Sequence, residues 1–520
     1  MNRDGMISRL NIPGDSWDII VIGGGASGLG IGLEAVTRGY RTLLLEQHDF
    51  AKGTSSRSTK LVHGGVRYLA QGNISLVMEA LRERGLLKRN APHLVMDMPF
   101  VVPCYRRWEV MLYTAGLTLY DLLAGRYRIG RSVPLSRKRI RKMLPTIQSQ
   151  CLRGGLVYYD GQFDDARLAV NLCQTFCEQG GTAVNYMKVT GLLKENGKVT
   201  GAEAADQETG KTYRLKSKTV INATGVFVND IVKLDNQDAG DLVVPSQGIH
   251  LVVDRNFLDG EHSLMIPKTP DGRVLFAVPW HNKVVIGTTD IQKEKAEPEP
   301  RATEEEIDYI LETAGRYFSD PPQRKHILSV FAGLRPLAAP QSKGKKTKEI
   351  SRGHKISTSG SGLVNLTGGK WTTYRKIGED VIDHIEKTFR WERSRSMTKN
   401  LRIHGYTSPI DEDPAIGWYG SDRGVIMEIM NESPGFRQLI SNKLEISAAQ
   451  VILAIRHEMA RTVEDVLARR TRALQLDAEE SIRLAPAVAD LMAKEMGKDE
   501  SWKKLQREQY IALAEGYLVN

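Results

Sequence analysis

The sequence contains little cysteine. Its 520 residues include four cysteines, Cys104, Cys151, Cys173 and Cys177, with no CxxC pair among them. Histidines and cysteines are nowhere spaced like zinc ligands, and no calcium-binding loop of the EF-hand type occurs. The sequence therefore predicts neither a disulfide framework nor a bound metal.

Long hydrophobic runs are also absent. No stretch approaches the ~18 consecutive apolar residues that indicate a membrane-spanning helix, and the first 17 residues contain no apolar core of a signal peptide. The most apolar candidate, residues 110–125, is short and contains Asp121, which is typical of a buried or an interfacial helix. These absences predict a cytoplasmic protein without a membrane span.

The remaining composition is that of a folded protein with an excess of positive charge. Hydrophobic residues make up 41% of the chain, and 520 residues are enough for two or three domains. The formal net charge of +10 favours acidic partners, such as phosphorylated metabolites or anionic lipids. The basic run at 343–348 is not accompanied by a nucleic-acid-binding motif or stacking aromatics, so no nucleic-acid partner is predicted.

The N-terminal region has the pattern of a dinucleotide-binding βαβ unit. The segment "WDIIVIGGGASGLGIGLEAVTRGYRTLLLEQ" gives an apolar strand, a glycine turn, a helix and a second strand. Gly23, Gly25 and Gly28 fit G-x-G-x-x-G, in which glycines allow a tight turn, close approach of a pyrophosphate and helix–strand packing. Glu46 follows Gly28 by 18 residues, where a carboxylate can accept hydrogen bonds from a ribose diol.

Two later segments favour FAD over NAD as the dinucleotide. Residues 218–230, "KTVINATGVFVND", and residues 362–381, "GLVNLTGGKWTTYRKIGEDV", each combine a strand with a glycine turn. Three such segments far apart in the chain predict a discontinuous nucleotide domain. That organisation is more typical of flavoproteins than of NAD dehydrogenases, whose nucleotide domain is commonly one block.

Several longer motifs resemble one flavoprotein family. The chain contains, in order, "GGGASGLG", "GTSSRSTKLVHGGVRYL", "APHL", "DARL", "NATG", "QGIHLVV", "VPWHNKVVIGTTD", "GLRPL" and "GGKWTTYRK". In this order they resemble the FAD-dependent glycerol-3-phosphate dehydrogenases of the aerobic, quinone-reducing kind. The resemblance runs from about residue 18 to residue 376 and resumes at residues 456–478, so it covers most of the chain.

This resemblance implies which residues bind the cofactor and the substrate. In residues 53–69, "GTSSRSTKLVHGGVRYL", backbone and hydroxyl groups would approach the flavin and its pyrophosphate. A phosphate monoester is matched by arginine forks and other cations. The residues implied for the substrate are Arg67, Tyr68, Arg352 and Lys370. Those implied for FAD, beyond the glycine turn and Glu46, are Thr54, Ser55, Ser56, Ser58, Lys60, His63, Gly64, Gly225, Gly369, Thr372 and Thr373.

The resemblance also indicates catalytic residues for the oxidation of a secondary alcohol, which needs a base and cationic stabilisers. His250 is the candidate base, and a core histidine with a purely structural role is the alternative. Arg335 would hold the phosphate or stabilise an alkoxide, and both options stay open. Lys370 has a second option, stabilisation of the reduced flavin ring. Gln247 departs from the family, where a basic residue is common.

The motifs predict an α/β fold with a Rossmann-like FAD-binding domain of the D-amino-acid-oxidase and glutathione-reductase type. Residues 18–95, 151–240 and 346–390 would form this discontinuous domain, and residues 96–150 and 241–345 an antiparallel substrate (cap) domain over the flavin. Residues 391–520 have helical apolar spacing and predict a helical C-terminal domain.

A basic segment predicts contact with a membrane surface. Residues 126–142, "RYRIGRSVPLSRKRIRK", contain eight Lys or Arg residues and no acid, and they follow the apolar segment 110–125. Together they would dock on anionic lipid at the inner face of the cell membrane, as a quinone-reducing enzyme requires. A solvated helix face is the alternative. The oligomeric state stays open, with a homodimer as one option.

The leading hypothesis is oxidation of sn-glycerol 3-phosphate to dihydroxyacetone phosphate by FAD, with quinone as the electron acceptor. Three alternatives remain: an oxidase that uses dioxygen, an amine or amino-acid oxidoreductase of the same fold, and an FAD-binding sensor or scaffold without turnover.

Overall fold

The computed structural model describes residues 1–11, 16–269, 272–339, 353–408, 413 and 415–519. Arg352, one of the residues implied for the substrate, lies outside these ranges, and so does the basic run at 343–348.

The first sheet carries the nucleotide-binding motif. Within the described residues it has eight strands, and its main path runs in the order β17-β18-β10-β1-β2-β7. Its strands are β1 (Trp17–Ile22), β2 (Thr42–Leu45), β7 (Thr182–Val184), β8 (Met187–Glu195), β9 (Lys198–Asp206), β10 (Thr212–Asn222), β17 (Lys355–Thr358) and β18 (Val364–Thr367). Strands β18, β10, β1, β2 and β7 pair in parallel. Their apolar runs are buried on both faces, as parallel sheets require.

The second sheet is mostly antiparallel. In the described part of the chain it has ten strands. They are β3 (Leu61–Val62), β4 (Val95–Cys104), β5 (Val133–Leu135), β6 (Gly154–Phe163), β11 (Val243–Asp254), β12 (Ser263–Ile266), β13 (Leu275–Trp280), β14 (Lys283–Gly287), β15 (Ile291–Gln292) and β16 (Ile327–Ala338). A tight turn at His281 and Asn282 connects β13 to β14, with both residues at positive φ.

The domain boundaries stay a prediction, and the structure differs from them at two strands: β3, within residues 18–95, pairs with β6 in the second sheet, and β6 itself belongs to that sheet. Residues 154–163 were assigned to the FAD-binding domain, but β6 pairs with β4 along its whole length in the second sheet. The chain crosses to the first sheet only through the following helix. Sequence pattern could not reveal this, because a buried strand looks the same in either sheet.

Helices cover both sheets and form the C-terminal part. Those before residue 391 are α1 (Arg3–Ser8), α2 (Ala26–Thr37), α3 (Val66–Ala70), α4 (Ile74–Asn90), α5 (Arg107–Ala124), α6 (Arg137–Met143), α7 (Asp165–Glu178), α8 (Val228–Asp235), α9 (Glu304–Gly315) and α10 (Tyr374–Thr388). Those after it are α11 (Arg423–Glu432), α12 (Pro434–Arg437), α13 (Ala448–His457), α14 (Ala473–Leu476), α15 (Ala478–Met496) and α16 (Glu500–Ala514). A π-helical turn spans Asp465–Arg470, and β19 (Leu439–Ser441) pairs with β20 (Ile446–Ser447).

The architecture confirms the predicted fold class. A largely parallel sheet carries the nucleotide-binding motif, a second and mostly antiparallel sheet accompanies it, and helices dominate after residue 391. No helix among the described residues is long and apolar enough to cross a membrane.

Candidate cofactor and substrate site

A cavity of about 580 Å³ opens at the carboxyl ends of β1 and β2. The start of α2, the loop after β2, the first residues of β8 and the glycine turn after β18 surround it. This is where ligands bind in open α/β sheets. The predicted residues that line it are Gly23, Gly25, Glu46, Thr54, Ser55, Gly225, Gly369 and Lys370.

The glycine turn forms a cradle that side chains would fill. A Cβ atom on Gly28 would lie 1.9 Å from the carbonyl oxygen of Gly23, and one on Gly25 would lie 3.0 Å from Ser55 Oγ. Gly23 itself has a φ of +108°. The backbone can therefore approach a pyrophosphate closely at the N-terminus of α2, whose N–H groups and dipole favour an anion. These residues fit a dinucleotide.

Glu46 lines the cavity and also holds the turn together. Its Oε2 accepts a hydrogen bond from the N–H of Gly24 at 2.6 Å, and its Oε1 accepts one from the N–H of His48 at 2.8 Å. Burial raises the pKa of the carboxyl group, and the two N–H donors oppose that rise. Each oxygen has a further lone pair, so the carboxylate can still accept from a ribose diol.

The first residues of β8 were missed by sequence reasoning. Residues 187–190 line the cavity next to Glu46, and the N–H of Met187 donates to the Glu46 carbonyl at 2.8 Å. This segment has no glycine motif and no charge pattern. The available signal was its place immediately after a parallel strand of the nucleotide-binding sheet.

Residues 54–58 fasten the cavity wall to the surrounding elements. Thr54 Oγ1 donates to the carbonyl of Leu334 at 2.5 Å, and the Ser55 carbonyl accepts from Trp371 Nε1 at 2.7 Å. Thr54 and Ser55 therefore join the second sheet and the turn after β18 at the cavity. Ser56 and Ser58 do not line it.

Lys60 lies away from the cavity, in contrast to its implied place beside the flavin. Its side chain is fully buried, and Nζ donates to Asp165 Oδ1 at 2.8 Å, to the Ser56 carbonyl at 2.7 Å and to Gln475 Oε1 at 2.9 Å. Ser58 donates from both its N–H and its hydroxyl to the other Asp165 oxygen. A buried ammonium requires such partners, and Asp165 and Gln475 are too distant in sequence to be recognised as such.

The turn that contains His63 and Gly64 lies next to the residues after β18. The N–H of His63 donates to Thr372 Oγ1 at 3.2 Å. Thr372 and Thr373 are buried just beyond Lys370. The structure thus brings two parts of the implied site together across about 300 residues of sequence.

Three of the implied substrate residues lie close together at this turn. Arg67 and Tyr68 are the second and third residues of α3, which starts after Gly65, whose φ of +79° favours glycine. Lys370 Nζ lies 3.8 Å from the centre of the Tyr68 ring, in a cation–π contact. Arg67 is partly exposed and has no hydrogen bond or ion pair to any described residue.

His250 and Arg335 lie on one face of the second sheet. Gly248 and His250 are two residues apart on β11 and therefore lie on the same face. Arg335 projects from the neighbouring β16 on that face, because it pairs with Ser246. Its guanidinium lies over Gly248, since a Cβ atom there would be 2.3 Å from Nη2. Gln247 points to the opposite face and donates to Glu306 Oε2 at 2.6 Å. The departure at Gln247 therefore does not change the face that carries His250.

The His250 imidazole is buried. Its Nε2 is 2.9 Å from Thr59 Oγ1, its ring stacks on Phe331, and its Nδ1 has no hydrogen-bond partner among the described residues. Burial lowers the pKa of His250 well below 6.5, and the nearby charges of Arg335 and Lys60 lower it further. His250 and Arg335 are not among the residues that line the cavity.

Two family models match the chain. One described as "FAD dependent oxidoreductase" matches residues 18–375, and one described as "C-terminal domain of alpha-glycerophosphate oxidase" matches residues 414–503. The boundary between them falls near the start of the C-terminal helices.

Similar proteins support a narrower assignment. The mitochondrial glycerol-3-phosphate dehydrogenase of Macaca fascicularis is 38% identical over 95% of this chain and 72% of its own length. The mitochondrial enzyme of that name from Saccharomyces cerevisiae is 33% identical over 98% and 90%. The structure of glycerol-3-phosphate dehydrogenase from Bacillus halodurans complexed with FAD has a TM-score of 0.81 and 28% identity, over 99% of this chain and 98% of that chain. These similarities confirm FAD as the cofactor. The chain therefore belongs to the FAD-dependent oxidoreductases, in the family of the glycerol-3-phosphate dehydrogenases.

Proposed function

We propose that this protein oxidises sn-glycerol 3-phosphate to dihydroxyacetone phosphate with FAD and passes the electrons to a membrane quinone. The observation that carries the proposal is the cationic group of residues at one end of the cavity. Lys370 lines the cavity and contacts the ring of Tyr68, and Arg67 directly precedes Tyr68 on the same short helix. A substrate with a doubly charged phosphate fits such a group better than a neutral alcohol does.

Arg67 is the residue assigned to the substrate phosphate. It is partly exposed, its guanidinium has no carboxylate partner among the described residues, and its helix starts at a fixed glycine turn. An arginine without an ion pair can offer its full fork of donors to a phosphate. Tyr68 and Lys370 would bind beside it, and Arg352 is assigned to the same group by family resemblance.

His250 is assigned the role of general base, which accepts the proton of the substrate hydroxyl. Its low pKa keeps the imidazole neutral, so a ring nitrogen is available to accept a proton. Arg335 lies over Gly248 on the same face and would stabilise negative charge that develops on the hydroxyl oxygen. The chemistry that FAD supplies when bound is the two-electron oxidation of the substrate C–H bond.

An exposed apolar surface supports a membrane-bound acceptor. Met111 and Leu122 on α5 are 70% and 68% exposed, and Trp108 and Leu112 on the same helix are each more than half exposed. The basic helix α6 follows closely in the chain. Apolar side chains beside exposed cations fit an anionic bilayer surface. Residues 107–142 would place the enzyme at the inner face of the membrane, where quinone is available.

The first test is anaerobic mixing of the purified flavoprotein with glycerol 3-phosphate while the flavin absorbance is followed. We expect bleaching with glycerol 3-phosphate and none with unphosphorylated glycerol at equal concentration. No bleaching with either compound would contradict the proposed reaction and favour a sensor or scaffold. Bleaching by an amino acid instead would favour the amine or amino-acid oxidoreductases.

Reoxidation distinguishes the two acceptors. The reduced enzyme is mixed either with a soluble quinone analogue or with air-saturated buffer. We expect the quinone analogue to reoxidise the enzyme faster than dioxygen does, because quinone is the proposed acceptor. Faster reoxidation by dioxygen would instead support the oxidase.

A further inference from the structure

A buried hydrogen-bond network lies behind the turn that contains His63, Gly64 and Gly65. Tyr120 is on the inner face of α5 and its hydroxyl donates to Asp160 Oδ2 at 2.7 Å. The same hydroxyl oxygen accepts a hydrogen bond from the N–H of Gly64 at 2.7 Å. Asp160 Oδ1 is a second acceptor for that N–H, at 3.3 Å. Tyr120 therefore bridges α5, β6 and the turn.

The direction of these hydrogen bonds follows from the charges. Arg84 Nη1 donates to Asp160 Oδ1 at 2.6 Å, and both side chains are at most 3% exposed. The paired carboxylate has no proton to give, so the tyrosine hydroxyl must donate to it. Burial and the charge of Asp160 raise the pKa of Tyr120 well above 10, which keeps that proton in place. The lone pair of the hydroxyl oxygen is then directed to the Gly64 N–H.

The packing at Gly64 leaves no freedom for the turn. A Cβ atom on Gly64 would lie 2.5 Å from Tyr120 Oη and 2.5 Å from Leu81 Cδ2. On its other side, the N–H of His63 donates to Thr372 Oγ1. The turn is thus held between Thr372, two residues after Lys370, and the buried Tyr120 hydroxyl.

We propose that Tyr120 is a positioning residue for substrate binding, which fixes the Gly64–Gly65 turn so that Arg67 and Tyr68 face Lys370. Tyr120 touches neither Arg67 nor the cavity, so it acts through the backbone of the turn. This inference rests on the proposed roles of Arg67 and Tyr68. It extends them by naming a residue of α5, whose outer face carries Leu119 and Leu122.

The chain offers a matched control in Tyr158. Its ring is also buried, stacks on Phe100 and meets Tyr120 edge to face. Its hydroxyl makes no hydrogen bond with the described residues. Tyr158→Phe therefore removes the same atom from the same cluster without affecting Gly64.

The experiment compares Tyr120→Phe, Tyr158→Phe and Arg67→Ala with the wild type. The rate of anaerobic flavin reduction is measured against the concentration of glycerol 3-phosphate, and bound FAD and Tm are measured on each protein. For Tyr120→Phe we expect the half-saturating concentration to rise about five- to tenfold, since one hydrogen bond to a buried N–H is lost. Its limiting rate should stay within about twofold of the wild type, and Tyr158→Phe should match the wild type.

The outcomes separate this inference from the proposed function. If Arg67→Ala raises the half-saturating concentration but Tyr120→Phe behaves like Tyr158→Phe, the positioning role is wrong. If Tyr120→Phe loses FAD or limiting rate in parallel with Tm, its role is structural and the inference is overturned. If Arg67→Ala has no effect, or the wild-type flavin is not reduced, the substrate assignment fails and the inference fails with it. Should Tyr120→Phe not fold, Asp160→Asn weakens the same hydrogen-bond network from its other end, and the same rise in the half-saturating concentration with unchanged FAD content is expected.

Discussion

Arg470 of the C-terminal part binds Asp49 in the loop that forms one wall of the cofactor cavity. Arg470 Nη1 donates to Asp49 Oδ2 at 2.7 Å, and Nη2 donates to Oδ1 at 2.9 Å. Arg469 Nε donates to the same Oδ2 at 2.5 Å. The flanking residues 46–48 and 51–52 line the cavity. The π-helical turn at 465–470 therefore fixes a cofactor-binding loop more than 400 residues earlier in the chain.

Asp49→Asn should weaken FAD binding as well as stability. The substitution removes the carboxylate that two buried guanidinium groups share, while Arg469 keeps Glu464 and Asp465 and Arg470 keeps Glu458. The loss of unfolding free energy should therefore be smaller than the about 3–5 kcal/mol that breaking a buried pair outright costs. The loop at the cavity would lose its attachment at the same time. The fraction of FAD retained after gel filtration should fall, and excess FAD should partly restore Tm.

Glu34→Gln provides the control for this effect. Glu34 is an equally buried carboxylate, paired with Arg38 near the far end of α2, and it does not line the cavity. Glu34→Gln should lower Tm without selective loss of FAD. Equal FAD retention in Asp49→Asn and Glu34→Gln would contradict the role given to Asp49.

The cofactor site illustrates what local sequence can and cannot predict. Gly23, Gly25 and Gly28 act within one turn and helix, so their spacing alone indicates the cradle. Asp49 and Arg470 make a contact between distant segments, and neither lies in a pattern that indicates its partner. Residues 187–190 line the cavity through their position after a strand, for which no motif exists.

Lys60 shows the limit of reasoning from a motif. Its position in the segment 53–69 predicts that it contacts FAD, as its neighbours are expected to do. Its side chain instead points into a buried cluster with Asp165. The direction in which a side chain of a motif points depends on its burial and on its partners from other segments. For Gln247 the strand itself gives the direction of the side chain. Successive side chains of β11 point to opposite faces, so Gln247 lies on the face opposite His250.

The pH dependence of flavin reduction tests His250 as the base. Because burial and two nearby cations keep its pKa well below 6.5, the neutral form predominates throughout the range from pH 6 to pH 9. The rate of flavin reduction should therefore show no titration near pH 6.5. His250→Asn should lower the limiting rate by about 10²- to 10⁴-fold, the usual contribution of a general base.

Substrate binding and FAD content serve as the controls for His250→Asn. The half-saturating concentration of glycerol 3-phosphate and the FAD content should change little, since Arg67 and the cavity are untouched. A variant that reduces its flavin within about threefold of the wild-type rate would make His250 a structural core histidine.

Reversal of the basic helix tests the membrane surface. Arg137, Lys138, Arg139 and Arg141 are exposed on or at the start of α6, and each cation near an anionic surface contributes about 1 kcal/mol. The change of all four to Glu should abolish co-sedimentation with vesicles rich in anionic lipid. Flavin reduction by glycerol 3-phosphate in solution should remain within about twofold of the wild type.

Neutral vesicles and the apolar residues complete this test. Met111→Ser with Leu122→Ser should weaken binding to both neutral and anionic vesicles, because these side chains would enter the bilayer irrespective of lipid charge. Unchanged sedimentation of the charge-reversed protein would instead indicate that α6 is a solvated helix face.

His404 predicts a loss of stability at alkaline pH. Its imidazole lies between Glu178 of α7 and Asp422, which precedes α11. Burial lowers the pKa of His404, but the hydrogen bonds and charges of the two carboxylates outweigh it and raise the pKa to about 9. A raised pKa means that the charged form stabilises the folded state fully below pH 6.5, the usual value. This contribution is lost as the pH rises from 6.5 through about 9.

His404→Gln should remove that part of the pH dependence. In the wild type, one proton bound more tightly in the folded state gives a slope of up to about −1.4 kcal/mol per pH unit in the unfolding free energy. The variant should be less stable than the wild type at pH 6.5, and the difference should shrink toward pH 9.5. Urea unfolding at several pH values measures the pH slope of the unfolding free energy and the difference between the two proteins. A constant difference across this range would show that His404 stabilises the contact between α7 and the C-terminal part by packing rather than by charge.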